Sequence, residues 1–197
     1  REIPLFLFLS LVILSNKGGS SFLISILIGF LPLVSILWSL DRGVFLIFIY
    51  FFFFIFLFLN KRKKDLFIIF FSILFSFYIF YEIIGHSEFI TFIFNSINIL
   101  SSAELLNGII HPVPFSNEIN SSRATKSIII ILLNTLILIH FFLSHREIKL
   151  DSFRLILFLF LIESIIFYKI GLTRSDGGHI KQGSALSLLQ IILFFLY

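Results

Sequence analysis

Long runs of apolar residues limit the folds that this sequence can adopt. Residues 21–40, 43–59 and 66–84 are mostly Phe, Ile and Leu, 58% of the chain is hydrophobic, and the mean hydropathy is +1.09. Twenty helical residues rise about 30 Å, the thickness of a bilayer's hydrocarbon core. The apolar positions are consecutive, whereas the strands of a transmembrane barrel alternate apolar and polar residues. We therefore predict an all-α protein, a polytopic bundle of transmembrane helices.

The apolar runs predict about seven spans, within a range of six to eight. We expect one integral-membrane region from a longer chain that is truncated at both ends, because the sequence contains no Met and stops at residue 197 inside an apolar run. Residues 85–126 predict an extracytoplasmic loop with an interfacial or re-entrant helix, and an eighth span is the alternative. The predicted spans cover residues 4–14, 21–40, 43–59, 66–84, 127–143, 152–168 and 185–197.

The second predicted span carries a stripe of small residues. Ser21, Ser25 and Gly29 recur every four positions and therefore lie on one face of a helix. Small side chains allow a neighbouring membrane helix to approach closely. We predict close helix packing along this stripe and a kink at Pro32.

Cationic residues predict the orientation of the helices. Residues 61–64 are four consecutive cations next to a span, and cytoplasmic loops are enriched in Lys and Arg. This run predicts a cytoplasmic anchor, with an anionic-lipid switch as the alternative. If residues 85–126 do not cross, residues 144–151 return to the cytoplasm. The short turn at Asp41 and Arg42 and the loops at residues 85–126 and 169–184 then all face outward. If residues 89–110 cross the membrane, the 169–184 segment faces inward instead.

Composition leaves several chemistries without support. The chain has no Cys, so it has no disulfide and no thiolate metal site. Its net charge of +4 accompanies no basic face interleaved with aromatic residues, and nucleic acid is not an expected partner. It has no phosphate-cradling Gly-rich loop and no zinc-protease or nucleophile-elbow motif. The expected partner is the lipid bilayer, and the oligomeric state stays open.

One polar segment concentrates residue types that can perform chemistry. Arg174, Asp176 and His179 lie within six residues, around the pair Gly177 and Gly178, which allows a loop to turn sharply. A guanidinium binds phosphate or carboxylate with two donors, a carboxylate accepts a proton or ligates a divalent cation, and an imidazole titrates near neutral pH. The pattern predicts a site that binds an anion, holds a metal or moves a proton. The alternative is an ordinary solvated loop in which Arg174 and Asp176 neutralise each other.

Two further charged residues are candidates for substrate binding. Glu163 lies inside a predicted span, where a carboxylate is costly and therefore a functional candidate. The alternative is that Glu163 reaches the membrane interface. Arg123 precedes a span together with Lys126, where cations also serve as interface anchors. If both polar segments face outward, Arg123 and Arg174 could clamp one anionic substrate.

The spacing of the polar segment resembles a motif in large bacterial multi-pass membrane proteins. The motif reads Gly, an apolar residue, any residue, Arg, any residue, Asp, two residues and His, and it is matched by Gly171, Arg174, Asp176 and His179. These proteins are grouped with lipid-phosphosugar glycosyltransferases and surface-polysaccharide polymerases. The resemblance covers about ten residues and, more loosely, the Pro-rich loop before Arg123. It implies a site at the outer face of the bacterial inner (cytoplasmic) membrane.

The resemblance also implies roles for individual residues. Arg174 would contact the phosphate of a polyprenyl-phosphate-linked sugar, Asp176 would be the base or a metal ligand, and His179 would support either role. The sequence departs from the family in its first outer loop, where the only acid is Asp41 instead of an acidic motif. The spacing of Arg123 and Arg174 also differs from the paired Arg loops of O-antigen-type polymerases.

We therefore predict a membrane glycosyltransferase or glycan polymerase that acts on lipid-linked sugars. Asp176 and His179 would be catalytic, and Arg174, Arg123 and Glu163 would bind the substrate. No metal ligand set is predicted and the cofactor is open, with a divalent cation as one option. Two alternatives remain: a transporter or flippase with Glu163 and Asp176 on the permeation path, and a non-catalytic scaffold subunit.

Overall fold

The structure, a computed structural model, describes residues 3–17, 22–107, 112–118, 121–144, 152–174 and 177–196. Within these ranges every regular element is a helix, which confirms the predicted all-α class. The helices are α1 (Ile3–Lys17), α2 (Phe22–Trp38), α3 (Leu40–Leu59), α4 (Lys63–Ile84), α5 (His86–Asn107), α6 (Ser121–Ser144), α7 (Ser152–Arg174), α8 (Gly177–Gln182) and α9 (Ala185–Leu196).

Four helices in the described part of the chain are long and apolar enough to cross a membrane. They are Leu40–Leu59, Lys63–Ile84, Ser121–Ser144 and, within α7, Phe153–Leu172. Three shorter apolar helices cover Ile3–Asn16, Phe22–Trp38 and Ile180–Phe195. These lengths suggest a membrane protein, but they do not confirm seven spans.

Many large apolar side chains lie on the surface of these helices. Phe51, Phe58 and Phe71 are each about three-fifths exposed, and Phe195 is 83% exposed. Soluble monomers rarely expose contiguous apolar patches of more than a few hundred Å². The exposed faces of the apolar helices are compatible with contact to a lipid bilayer.

The chain divides into two compact units, residues 1–101 (unit 1) and residues 102–197 (unit 2). In unit 1, α2 packs against α1, α3 and α4. Gly29 is buried, and a Cβ atom there would lie 2.3 Å from Ser72 Cβ and 2.8 Å from the carbonyl oxygen of Ile69. This confirms the predicted close approach at Gly29, whereas Ser21 of the same stripe lies outside the described residues. Pro32 lies inside α2, and the kink there stays a prediction.

The turn between α2 and α3 is shorter than predicted. The predicted turn at Asp41 and Arg42 is wrong, because both residues lie in the first turn of α3 and the helices break only at Ser39. The Ser39 hydroxyl donates a hydrogen bond of 2.5 Å to Asp41 Oδ1. A Cβ atom at Gly43 would lie 2.5 Å from Ile36 Cα. The missing side chain at Gly43 therefore allows the two helices to meet at a one-residue corner.

The segment predicted as a long loop contains a continuous helix. Helix α5 has 22 residues and is not among the four helices that are apolar enough to cross a membrane. At its start, the Phe89 ring contacts the rings of Phe80 and Tyr81 in α4. Whether α5 is interfacial, re-entrant or spanning stays a prediction.

In unit 2, α6, α7 and α9 pack around a shared apolar core. The core residues are Ile131, Leu138, Leu157, Leu161 and Tyr168. Helix α7 runs antiparallel to α6, because the end of α7 contacts the start of α6. Helix α9 runs parallel to α6, because Ser184 before α9 contacts Ser127 and Phe194 contacts Phe141. The start of α6, the end of α7 and the short helix α8 therefore lie at the same end of unit 2.

Candidate functional site

The segment with the predicted chemistry is mostly helical, so the prediction of one loop over residues 169–184 is wrong. Helix α7 continues to Arg174, and α8 begins at Gly177. Asp176 lies outside the described residues, and the structure describes only the backbone of Arg174 and His179. The predicted cluster of Arg174, Asp176 and His179 therefore stays a prediction about side chains.

Helix α8 is fastened to the start of α6. The Ser127 hydroxyl donates a hydrogen bond of 3.0 Å to the carbonyl oxygen of Ile180, and the Ser184 hydroxyl donates to Ser127 Oγ over 3.3 Å. The Ile180 side chain is completely buried. These contacts hold the residues after the Gly177–Gly178 pair against a candidate span. Tertiary packing therefore explains why a glycine-rich segment forms a helix here.

The end of α7 is fastened to the same part of α6. The Tyr168 hydroxyl donates a hydrogen bond of 3.1 Å to the carbonyl oxygen of Ala124. The turn after α8 also packs on Tyr168, because a Cβ atom at Gly183 would lie 2.6 Å from Tyr168 Cα. Since a side chain at Gly183 would collide with backbone, this turn requires glycine.

The proline-rich loop before α6 folds onto the first turn of that helix. The amide of Phe115 donates to Thr125 Oγ1 over 2.8 Å, and the amide of Ser116 donates to Ser121 Oγ over 3.0 Å. The Ser121 hydroxyl in turn donates to the carbonyl oxygen of Val113 over 2.7 Å. The hydroxyl groups of Ser121 and Thr125 in α6 thus satisfy backbone N–H and C=O groups of the loop, which has no regular backbone hydrogen bonding of its own. These hydrogen bonds hold residues 113–116 of the loop against the start of α6, next to Arg123.

Among the side chains that the structure describes, four exposed cations lie at this end of unit 2, and together they form what we name the basic end. Each one directly adjoins a residue that joins the helices: Arg123 precedes Ala124, Lys126 precedes Ser127, Lys169 follows Tyr168, and Lys181 follows Ile180. All four side chains are exposed, and Glu118 is an exposed acid in the neighbouring loop. Closely spaced cations create a positive potential that attracts phosphate or carboxylate groups.

Arg123 and Glu163, both predicted to bind substrate, lie in different environments. Arg123 is exposed at the basic end, whereas the Glu163 side chain is only 2% exposed inside α7. Glu163 precedes Tyr168 by five residues, which corresponds to about 7–8 Å of helix rise. The structure therefore does not place Glu163 on the exposed surface that carries Arg123.

A buried amide network in unit 2 was missed by the sequence reasoning. Asn134 Nδ2 donates to Gln190 Oε1 over 2.5 Å and to Ser187 Oγ over 3.3 Å. Gln190 Nε2 donates to the carbonyl oxygen of Leu157 over 2.5 Å. These contacts join α6, α7 and α9, and the side chains of Asn134, Gln190 and Ser187 are completely buried. In the sequence, the network is indicated only by a single amide side chain in each of two apolar runs, Asn134 in residues 127–143 and Gln190 in residues 185–197.

Metal binding is not supported by a preformed cluster in the part of the chain that the structure describes. There, no three His, Asp or Glu side chains come together in a group that could hold an ion. Asp176, which the resemblance makes either a base or a metal ligand, lies outside the described residues. A divalent cation at Asp176 therefore stays a prediction.

Comparisons of this chain with protein-family models, with curated proteins and with solved structures give no match.

Proposed function

We propose that this chain spans a membrane and uses the basic end of unit 2 to bind the phosphate of a lipid-linked sugar. The observation that carries the proposal is the set of four exposed cations on the joined ends of α6, α7 and α8. Two candidate spans, α6 and the Phe153–Leu172 stretch of α7, begin or end there. A positive surface at the end of apolar helices suits a substrate whose tail is hydrocarbon and whose headgroup is anionic.

The proposed activity is glycosyl transfer, as the resemblance at Arg174, Asp176 and His179 implies. Asp176 takes the proton of an acceptor hydroxyl, and His179 supports Asp176. The acceptor oxygen bonds to the anomeric carbon while the carbon–oxygen bond to the phosphate breaks. The phosphate leaves with that electron pair, and Arg174 stabilises its charge together with the basic end. A polyprenyl-phosphate-linked sugar at the outer face of a bacterial inner membrane is the proposed substrate.

The binding step is tested with purified protein in phosphatidylcholine vesicles and radiolabelled polyprenyl phosphate, with the neutral polyprenol as the reference ligand. We expect Arg123→Gln and Lys181→Gln each to weaken polyprenyl phosphate binding about fivefold, because a cation near an anionic surface contributes about 1 kcal/mol. Arg123→Lys should retain most of the affinity. Ser122→Gln, at the exposed neighbouring position, is the matched control. Equal binding by Arg123→Gln and Ser122→Gln would refute the proposed site.

The transfer step needs a separate measurement, because a protein that only binds polyprenyl phosphate would give the same result in the binding assay. Vesicles are supplied with a polyprenyl-phosphate-linked sugar and an acceptor glycan, and the products are separated by chromatography. We expect Asp176→Asn to abolish product formation while its affinity for polyprenyl phosphate stays within about twofold of wild type. If the wild-type protein binds polyprenyl phosphate but forms no product, the proposed phosphate site stands and the transferase activity is refuted.

A transporter is the second candidate, and one specific observation favours it. Glu163 is buried in a helix that is apolar enough to cross a membrane, and a carboxylate at such a position often lies on a proton or substrate pathway. A transporter moves an unaltered substrate into sealed vesicles, and Glu163→Gln should abolish that uptake. Glu118→Gln, which changes an exposed acid, is the control. A scaffold subunit would tolerate all of these substitutions.

A further inference from the structure

An ion-pair network in unit 1 involves one of the four cations at residues 61–64. Arg62 Nε lies 2.7 Å from Asp65 Oδ2, and the Asp65 side chain is 5% exposed. Arg62 Nη2 donates to Ser15 Oγ over 2.7 Å, and Arg62 Nη1 donates to Asn16 Oδ1. The Ser25 hydroxyl donates to Asp65 Oδ1 over 3.4 Å. Arg62 therefore points into the helix packing and connects α1 with the start of α4.

The three lysines of the run point the other way. Lys61, Lys63 and Lys64 are exposed, whereas the charge of Arg62 is balanced by Asp65. Lys61 has a φ of 56°, in the left-handed region, and the amide of Arg62 bonds to the carbonyl oxygen of Leu57 over 2.9 Å. The chain turns tightly from α3 into α4 at this point. Three exposed positive charges are thus displayed on one short, hydrogen-bonded tip.

Exposed apolar side chains lie directly beside this tip. Phe58 and Leu59 at the end of α3 are more than three-fifths exposed, and Phe67 in the first turns of α4 is 57% exposed. Both helices are long and apolar enough to cross a membrane. Cations immediately next to exposed aromatic and aliphatic side chains match the boundary of a bilayer, where headgroups adjoin hydrocarbon. An acidic protein or a nucleic acid would leave the apolar neighbours uncovered.

We propose that Lys61, Lys63 and Lys64 form a docking surface for the headgroups of anionic phospholipids, and that Arg62 is the internal ion-pair partner that holds this surface in shape. The two roles are separable, because the lysines contact the lipid and Arg62 contacts the protein. The proposal concerns unit 1 and is independent of the proposed function of the basic end in unit 2.

A local fluorescence measurement tests the proposal, because the chain has a single Trp. Trp38→Phe combined with Phe58→Trp places the only indole beside the lysines, and brominated lipids quench an indole that they contact. The protein is reconstituted in phosphatidylcholine with a small fraction of brominated phosphatidylglycerol or, in parallel, brominated phosphatidylcholine. We expect the anionic lipid to be preferred several-fold, since each lysine near an anionic surface contributes about fivefold.

Three variants separate the role of the lysines from that of Arg62. Lys61→Gln, Lys63→Gln and Lys64→Gln together should reduce the preference to about one, whereas the same three positions changed to Arg should keep it. Arg62→Gln should lower the unfolding temperature in phosphatidylcholine alone, which the lysine variants should not do. If the triple Gln variant does not fold, the single Lys63→Gln and Lys64→Gln variants should each lower the preference.

A second reporter position is the matched control. Trp38→Phe combined with Ile83→Trp places the indole at the opposite end of α4, where the replaced side chain is 76% exposed. This indole should be quenched equally by both lipids in the wild-type and triple-Gln backgrounds. Equal quenching of the Phe58→Trp protein by both lipids would overturn the proposal. So would loss of its preference in millimolar inorganic phosphate at constant ionic strength, because the surface would then be a site for free phosphate.

Discussion

The Ser127 hydroxyl donates a hydrogen bond of 3.0 Å to the carbonyl oxygen of Ile180, which joins residues 53 positions apart. Ser127 is 3% exposed and Ile180 is completely buried, so this contact lies inside unit 2. Lys126 and Lys181, the neighbours of the two residues, are exposed and belong to the basic end. The same hydrogen bond therefore joins α6 to α8 and holds the backbones of the two lysines at the same end of unit 2.

Replacing Ser127 with Ala should destabilise the protein by about 1 kcal/mol, because the hydrogen bonds to Ile180 and from Ser184 are lost. The measurement is the free energy of unfolding in mixed micelles titrated with denaturing detergent. Ser122→Ala changes an exposed serine of the same helix and so controls for the altered helix propensity. Equal free energies for the two variants would show that the Ser127 hydrogen bond contributes nothing.

Gly183→Ala should displace α8 from the end of α7. The added Cβ would lie 2.6 Å from Tyr168 Cα and 2.9 Å from Tyr168 N, and backbone atoms cannot rotate away as a side chain does. Overpacking of this kind costs about 1–3 kcal/mol. The buried residue Ile180, changed to Cys as a reporter, should react faster with a thiol reagent in the Gly183→Ala background. Gln182→Ala, at the exposed neighbouring position, should leave the reaction rate unchanged.

The sequence predicted features whose cause is local and periodic. The close approach at Gly29 was predictable because a four-residue spacing of small side chains fixes one helix face. The direction of Arg62 was not predictable, because its partners Ser15 and Asn16 are more than 45 residues away and the lysines beside it have the same charge. Periodicity identifies the face of a helix, but it does not identify the partner of a charged side chain.

The candidate site shows the same limit. The pair Gly177 and Gly178 indicated a turn, since glycine is unfavourable in a helix. The segment is helical because Ile180 is buried and its carbonyl oxygen accepts a hydrogen bond from Ser127. Local propensity was outweighed by contacts with α6 that no short window of sequence contains. Arg123 was identified by its charge alone, and its neighbour Ala124 proved to join α6 to α7 through Tyr168.

The amides of Asn134 and Gln190 should show a favourable coupling in a double-mutant cycle. Buried hydrogen bonds between membrane helices contribute about 0.6 kcal/mol on average and about 1.7 kcal/mol at most. We expect a coupling of about 1 kcal/mol from the unfolding free energies of Asn134→Ala, Gln190→Ala and the double variant. As the reference pair, Ser122→Ala with Gln190→Ala should be additive, because Ser122 is exposed and precedes Asn134 by twelve residues, about 18 Å along α6. No coupling between the amides would contradict the buried network.

Cysteine labelling should show that the two ends of α6 lie on opposite sides of the membrane. The chain contains no Cys, so an introduced cysteine is the only thiol that can react. Helix α6 has 24 residues and rises about 36 Å, enough to cross a hydrocarbon core of about 30 Å. Cysteines introduced at Ser122 and Gln182 should react with an impermeant thiol reagent from one side, and a cysteine at Ser144 from the other. All three positions are exposed.

The side of the membrane from which these cysteines are labelled also tests the proposed glycosyl transfer. Ser122→Cys and Gln182→Cys should label in intact cells if the basic end faces outward, as the transfer of lipid-linked sugars at the outer face requires. The four cations of the basic end favour the opposite outcome, because Lys and Arg are enriched on the cytoplasmic side. Labelling only after the membrane is opened would place the basic end in the cytoplasm and refute transfer at the outer face. It would leave intact the proposal that the basic end binds a lipid-linked phosphate. Labelling of Ser122→Cys and Ser144→Cys from the same side would refute α6 as a span.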